Sequence, residues 1–134
     1  LTIGAAGRKF AAGRGDSARE GKRMSEYLTS EHLADVRRFD PLADEAVVAR
    51  IVKHLGVALR NRDSATVACG DDGELRTVRE NWCRRKLGVE DAERVARTVA
   101  LVCETMGRDR MKNRATFYYL CAKHLGRLDV LTSA

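Results

Sequence analysis

The sequence predicts a single all-α domain, a compact bundle of about five helices. From Met24 onward, apolar residues recur at spacings of three and four, the period of a helix with one buried face. Three of these runs close on the same pattern, Lys53-His54-Leu55-Gly56, Lys86-Leu87-Gly88 and Lys123-His124-Leu125-Gly126. A length of 134 residues allows one core.

The first helix falls within about 25–39, with Leu28, His32, Val36 and Phe39 on one side. Asp40-Pro41 ends it and suits the start of the next, as an N-cap followed by proline at the first helical position. In the second helix Val47, Val48, Ile51, Val52 and Leu55 form the buried stripe, and Gly56 stops it. Residues 57–70 admit two readings: a short helix over Ala65–Ala68 capped by Asp63 or Ser64, or a brief extended piece. Asp71 to Glu74 resembles a capping box. The third helix then runs to about Leu87, with Leu75, Val78 and Trp82 inward, and stops at Gly88. Ala92, Val95, Ala96, Val99, Val102, Cys103 and Met106 make the fourth, closed by Gly107. Asp109 caps the fifth, which ends at Gly126, and Leu128, Val130 and Leu131 pin the tail to the core.

The three similar helix ends do not make an internal repeat, because their spacing is irregular and their flanks differ. A cation in the last turn complements the negative end of a helix, and glycine supplies the left-handed residue after it.

Residues 1–23 are a different kind of polymer, with five glycines, six bases, two acids and no apolar period. They read as a disordered basic leader or a non-native extension, the natural chain being expected to begin at Met24 and the helical domain to occupy 24–134. An organelle-targeting or basic arm ranks below that. The leader also carries +4 of the net charge of +6, so the domain itself is near neutral. Cys69, Cys83, Cys103 and Cys121 include no CxxC pair and read as reduced, mostly buried thiols. No apolar run approaches the roughly 20 residues of a membrane span. The location implied is the cytoplasm, with no membrane partner and no cofactor.

On a helical wheel from Met111, Met111, Ala115, Phe117, Tyr118, Tyr119, Cys121, Ala122 and Leu125 share a broad arc of roughly 200°. Such a helix touches neighbours on two sides. Lys112, Asn113, Thr116, Leu120, Lys123 and His124 fall outside the arc, while Arg114 falls inside it. A guanidinium there needs a partner, favouring a structural ion pair with an acid on a neighbouring helix over an anion site in a cleft. Leu101 and Leu120 point away from their stripes, which suggests a self-association face or a second packing layer.

No catalytic or metal centre is indicated. His54 and His124 lie in last helical turns, His32 lies near an apolar face, and none has a sequence neighbour that suggests a triad. Cys121 and His124 could share a metal, but a structural zinc needs two more ligands. Asp71-Asp72-Gly73-Glu74 lacks the alternating acids of a calcium loop. No phosphate-loop or nucleophile-elbow motif occurs. For nucleic acid, the candidates are Arg84, Arg85 and Lys86, and Arg108, Arg110, Lys112 and Arg114, with Tyr118 or Tyr119 able to stack on a base. Glu80, Glu90, Asp91, Glu93 and Asp109 flank both clusters, favouring a mixed-sign solvated surface.

Three blocks resemble the bacterial "domain of unknown function 2853" family. They are Asp63-Ser64-Ala65-Thr66-Val67-Ala68, Glu74 to Trp82 running into Arg85-Lys86-Leu87-Gly88, and Lys112 to Leu120 with Lys123-His124-Leu125-Gly126. Trp82 and Cys83 stand where other apolar residues such as Phe and Leu are expected. The resemblance implies a small, soluble, helical bacterial protein and transfers no catalytic residue. The function so indicated is a small cytoplasmic helical interaction module without enzymatic activity, with a second copy of the chain as a candidate partner and no other partner identified. A nucleic-acid-associated protein is the alternative, and an enzyme comes third.

Overall fold

The computed structural model describes residues 26–132. The expectations for residues 1–23 lie outside the described residues. Helix α1 covers residues 26–36. Then follow α2 (Glu45–Leu55), a 3-10 turn (Gly56–Arg60), β1 (Thr66–Val67), α3 (Asp72–Thr77) continuing as a π-helix (Val78–Lys86), α4 (Ala92–Thr105), β2 (Lys112–Asn113), α5 (Arg114–His124) and α6 (Leu128–Thr132). The fold is all-α apart from the antiparallel pair β1–β2, which sets Thr66 opposite Asn113 and Val67 opposite Lys112. For residues 57–70 the extended reading therefore holds in the segment that faces β2.

Gly56, Gly88 and Gly126 all take positive φ, as the three helix ends require. Asp71 accepts from the N–H groups of Gly73 and Glu74, and Asp91 from Arg94, so both cap their helices. The second half of the capping box does not form, because the Glu74 carboxylate pairs with Arg114 instead. Two predicted starts move. Asp44, not Asp40, caps α2. Asp40 is committed elsewhere: its carboxylate accepts from the Tyr119 hydroxyl at 2.6 Å and pairs with Lys123 at 3.3 Å. Asn113, not Asp109, caps α5, because strand pairing occupies Lys112 and Asn113; Asp109 pairs with Arg38 at 2.9 Å.

The third predicted helix changes pitch at Val78. Leu87 donates its N–H to the carbonyl of Trp82, five residues back, rather than four. The wider turn suits the buried set Val78, Trp82, Cys83 and Leu87, whose spacings of four and five drift off an α-helical face.

Helix α5 is the central element. Arg114 to Ala122 are all buried, so the helix is enclosed on every side, more than its apolar arc alone predicts. Its polar side is covered by polar partners. Asn113, Thr116, Tyr119 and Lys123 meet His32, Asp35 and Asp40 of α1 and the turn after it. That pairing explains why Thr116 has no exposed surface. Phe117 and Tyr119 of this helix and Trp82 of the π-helix are among the largest fully buried side chains, and truncating a buried Phe or Trp to Ala typically costs about 3–5 kcal/mol.

Leu120 is 3% exposed and Leu101 44%, so the two do not form a common self-association face; Leu120 belongs to the second packing layer. The cysteines divide into two pairs. Cys83 and Cys121 are buried thiols, as expected, but Cys69 and Cys103 form a disulfide that ties the loop after β1 to α4. Their 34-residue separation hides this proximity from the sequence.

Candidate functional site

Arg114 opens α5, and its side chain passes beneath the β1 segment. Its Nε donates to the Ser64 carbonyl at 2.6 Å, and one terminal nitrogen donates to the Thr66 carbonyl at 2.9 Å. The same nitrogen forms an ion pair with Glu74, and the guanidinium lies 5.8 Å from the Tyr118 ring centroid. The Arg114 backbone N–H donates to the Ala65 carbonyl at 2.8 Å. The acid on a neighbouring helix is thus Glu74 of α3, and the cluster staples the 64–66 segment to the central helix. The adjoining hollow is lined by Asp63, Asp71 and Glu74 as well as Arg114, a poor setting for an anion.

Neither tyrosine presents a face for stacking on a base. Tyr118 is buried with its ring centroid 4.6 Å from that of Trp82, and burial pushes its hydroxyl pKa up. Tyr119 is buried against Asp40, and desolvation followed by this hydrogen bond raises its pKa too. The bond from Tyr119 is also the largest influence holding the Asp40 carboxyl below its ordinary pKa.

The basic clusters do not form a continuous rail. Arg84 pairs with Glu80 at 3.1 Å, and both share a shallow bay with Arg85 and Glu90. Arg108 and Arg110 are exposed, but Lys112 donates to the Asp109 carbonyl and Arg114 is interior.

Lys86 turns to a different neighbourhood. Together with Arg50, Lys53 and His54 of α2, and Val130 and Leu131 of α6, it lines a pocket of about 330 Å³. No acid is among these lining residues, and among the described residues Arg50, Lys53 and Lys86 make no ion pair. Helix-end electrostatics explains a cation in each last turn, worth about 0.3–1 kcal/mol apiece. It does not require that cations from two helices converge on one concavity.

His54 forms part of the pocket wall, with its ring centroid 5.0 Å from that of Trp82. Burial first, and the Lys86 charge second, hold its pKa below the ordinary histidine value. Trp82 is fully buried and donates its indole N–H to the Tyr118 carbonyl at 2.9 Å. A chain of ring contacts therefore runs from the pocket through His54, Trp82 and Tyr118 to Arg114. The π-helix supplies both Trp82 and Lys86, so its altered pitch sets one wall of the pocket. In the sequence Lys53 and His54 stand as helix-end cations and Lys86 as both a helix-end cation and a member of the Arg84-Arg85-Lys86 cluster, and no linear signal joins them to Arg50.

The other histidines serve the scaffold or the surface. The Asn113 amide oxygen accepts from Ala115 and Thr116, leaving its NH₂ to donate to His32 Nδ1 at 2.9 Å. This assignment makes the His32 ring neutral with its proton on Nε2, in keeping with a pKa lowered chiefly by burial. His124 is exposed. Burial pushes the Cys121 thiol pKa well up, with Cys83 adding to the effect, so this sulfur is a poor metal-binding thiolate at neutral pH. Among the described residues no group of three or more His, Cys, Asp or Glu side chains is placed to hold a metal. No described helix is long and apolar enough to cross a membrane.

A family model described as "Protein of unknown function (DUF2853)" matches residues 31–129. The chain belongs to the DUF2853 family. A search of curated proteins finds none that matches the chain. The DUF2853 match takes in every pocket-lining residue except Val130 and Leu131. Because the family description assigns no function, the case for the pocket rests on its geometry.

Proposed function

We propose that this protein is a small non-enzymatic binding module whose pocket at Arg50, Lys53, His54 and Lys86 takes a negatively charged group. The supporting observation is the convergence of Arg50, Lys53 and Lys86, with His54 beside them, in one concavity with no acid among its lining residues. Attraction there is weakly compensated within the protein, so an incoming anion need not displace a carboxylate. The module reading is preferred to a nucleic-acid rail because the Arg84 cluster is interleaved with Glu80 and Glu90, and Arg114 is committed to Glu74.

Calorimetric titration with inorganic phosphate and sulfate at low ionic strength tests the reading. Binding is expected at one site, weakened about tenfold or more in the Arg50→Gln, Lys53→Gln, Lys86→Gln triple variant. Equal binding by a folded triple variant would contradict it.

A bacterial, cytoplasmic setting is part of the proposal and places a demand on the Cys69–Cys103 disulfide, since cytosolic reductants normally keep thiols reduced. Rapid alkylation of the chain in cells, followed by mass measurement, counts its thiols. Four reduced thiols fit the cytoplasm; quantitative recovery of the disulfide favours an oxidising compartment.

A further inference from the structure

Building on the anion-binding reading, we infer that the pocket recognises a doubly charged phosphomonoester group and that His54 takes up a proton as it binds. Arg50, Lys53 and Lys86 supply three separate cationic side chains, and the imidazole of His54 can become a fourth. A single negative charge would leave much of the mutual repulsion among these groups in place. A phosphomonoester carries nearly two negative charges at neutral pH and offers three acceptor oxygens to donors approaching from different elements. Val130 and Leu131 give the same pocket an apolar side, suited to the organic portion of the ligand.

The groups around His54 support the proton uptake. Arg50 and Lys53 belong to its own helix, and Lys86 comes from the π-helix. From α6 the wall is Val130 and Leu131, while Asp129, the charged residue of that helix, lies outside the pocket lining. Trp82 meets the ring without adding a charge. The free site thus surrounds His54 with positive charge and partial burial, both of which favour the neutral ring. A dianion seated among the same cations offsets most of their charge and offers an acceptor oxygen to the ring, which favours the imidazolium. The proton comes from solvent, and no covalent bond in the ligand changes.

The two sources of such a group are a small organic phosphate and the 5′-phosphate end of a nucleic acid. Phenyl phosphate and phenyl sulfate are close in shape and differ in charge, so they isolate the requirement for a dianion. Calorimetry on the full chain at about pH 7.5, repeated in buffers of different ionisation enthalpy, gives both affinity and protons taken up. Phenyl phosphate is expected to bind about tenfold or more tighter than phenyl sulfate, with net proton uptake. His54→Phe should retain an aromatic ring at Trp82 and abolish the uptake, and His54→Gln provides a second test should that variant misfold. Binding of a 5′-phosphorylated oligonucleotide in preference to its 5′-hydroxyl counterpart, and more tightly than phenyl phosphate, would support the same chemistry with a polymer as its source.

Equal affinity for phenyl phosphate and phenyl sulfate, or uptake that persists without His54, overturns this inference while leaving general anion binding intact. If neither compound binds, nor inorganic phosphate or sulfate, both readings fall. Equal binding of the two oligonucleotides with no binding of phenyl phosphate also overturns it.

Discussion

His54 lies at the pocket edge with its ring centroid 5.0 Å from that of Trp82, and Trp82 is the chain's single tryptophan. Protonation of His54 therefore changes the environment of a unique fluorophore. The emission of Trp82 should titrate below about pH 6.5, because burial and Lys86 lower the His54 pKa. In His54→Phe this transition should disappear; its persistence would assign it to another group.

The same shift has a consequence for stability. As pH falls below about 6.5, the unfolded chain takes up protons that native His32 and His54 resist, so unfolding becomes easier. Chemical denaturation between about pH 7.5 and 5.5 should show a falling midpoint, with a smaller slope in His54→Phe. An unchanged slope would remove His54 from the account.

Arg114 provides a sharper mutational test. Arg114→Met leaves Glu74 and the Ser64 and Thr66 carbonyls without their guanidinium partner, and a loss of about 3–5 kcal/mol is expected from denaturant unfolding. Arg114→Lys should recover only part of it, because an ammonium cannot reproduce the planar set of donors. Glu74→Gln should cost less, since the two carbonyl bonds remain. Full stability in Arg114→Lys would show that charge alone suffices.

The Cys69–Cys103 disulfide encloses a 34-residue separation, for which chain entropy suggests up to about 4 kcal/mol. Reductant should lower the unfolding midpoint of the wild type and leave the Cys69→Ser, Cys103→Ser double variant unaffected. Equal sensitivity in both would point to a different effect of the reductant.

Much of the helical framework was legible because its signals are local. Gly56, Gly88 and Gly126, and the Asp71 cap, are set by neighbouring residues. The errors arose where distant partners intervened. Asp40 is drawn to Tyr119 and Lys123, Asp109 to Arg38, and Asn113 joins a strand before capping α5. Periodicity recognised the apolar face of α5, but α1 also buries its polar face by matching hydrogen bonds. The pocket was hidden for the same reason: Arg50 to His54 and Lys86 meet only after α2 and the π-helix both pack against α5.

The most direct test of the central claim is a two-dimensional NMR titration of the full chain with inorganic phosphate at low ionic strength. Saturable shifts are expected at Arg50, Lys53, His54, Lys86 and Val130, with the Trp82 indole N–H responding through its contact with His54. Shifts concentrated instead at Arg84, Arg85, Arg108 and Arg110, leaving the pocket silent, would contradict it.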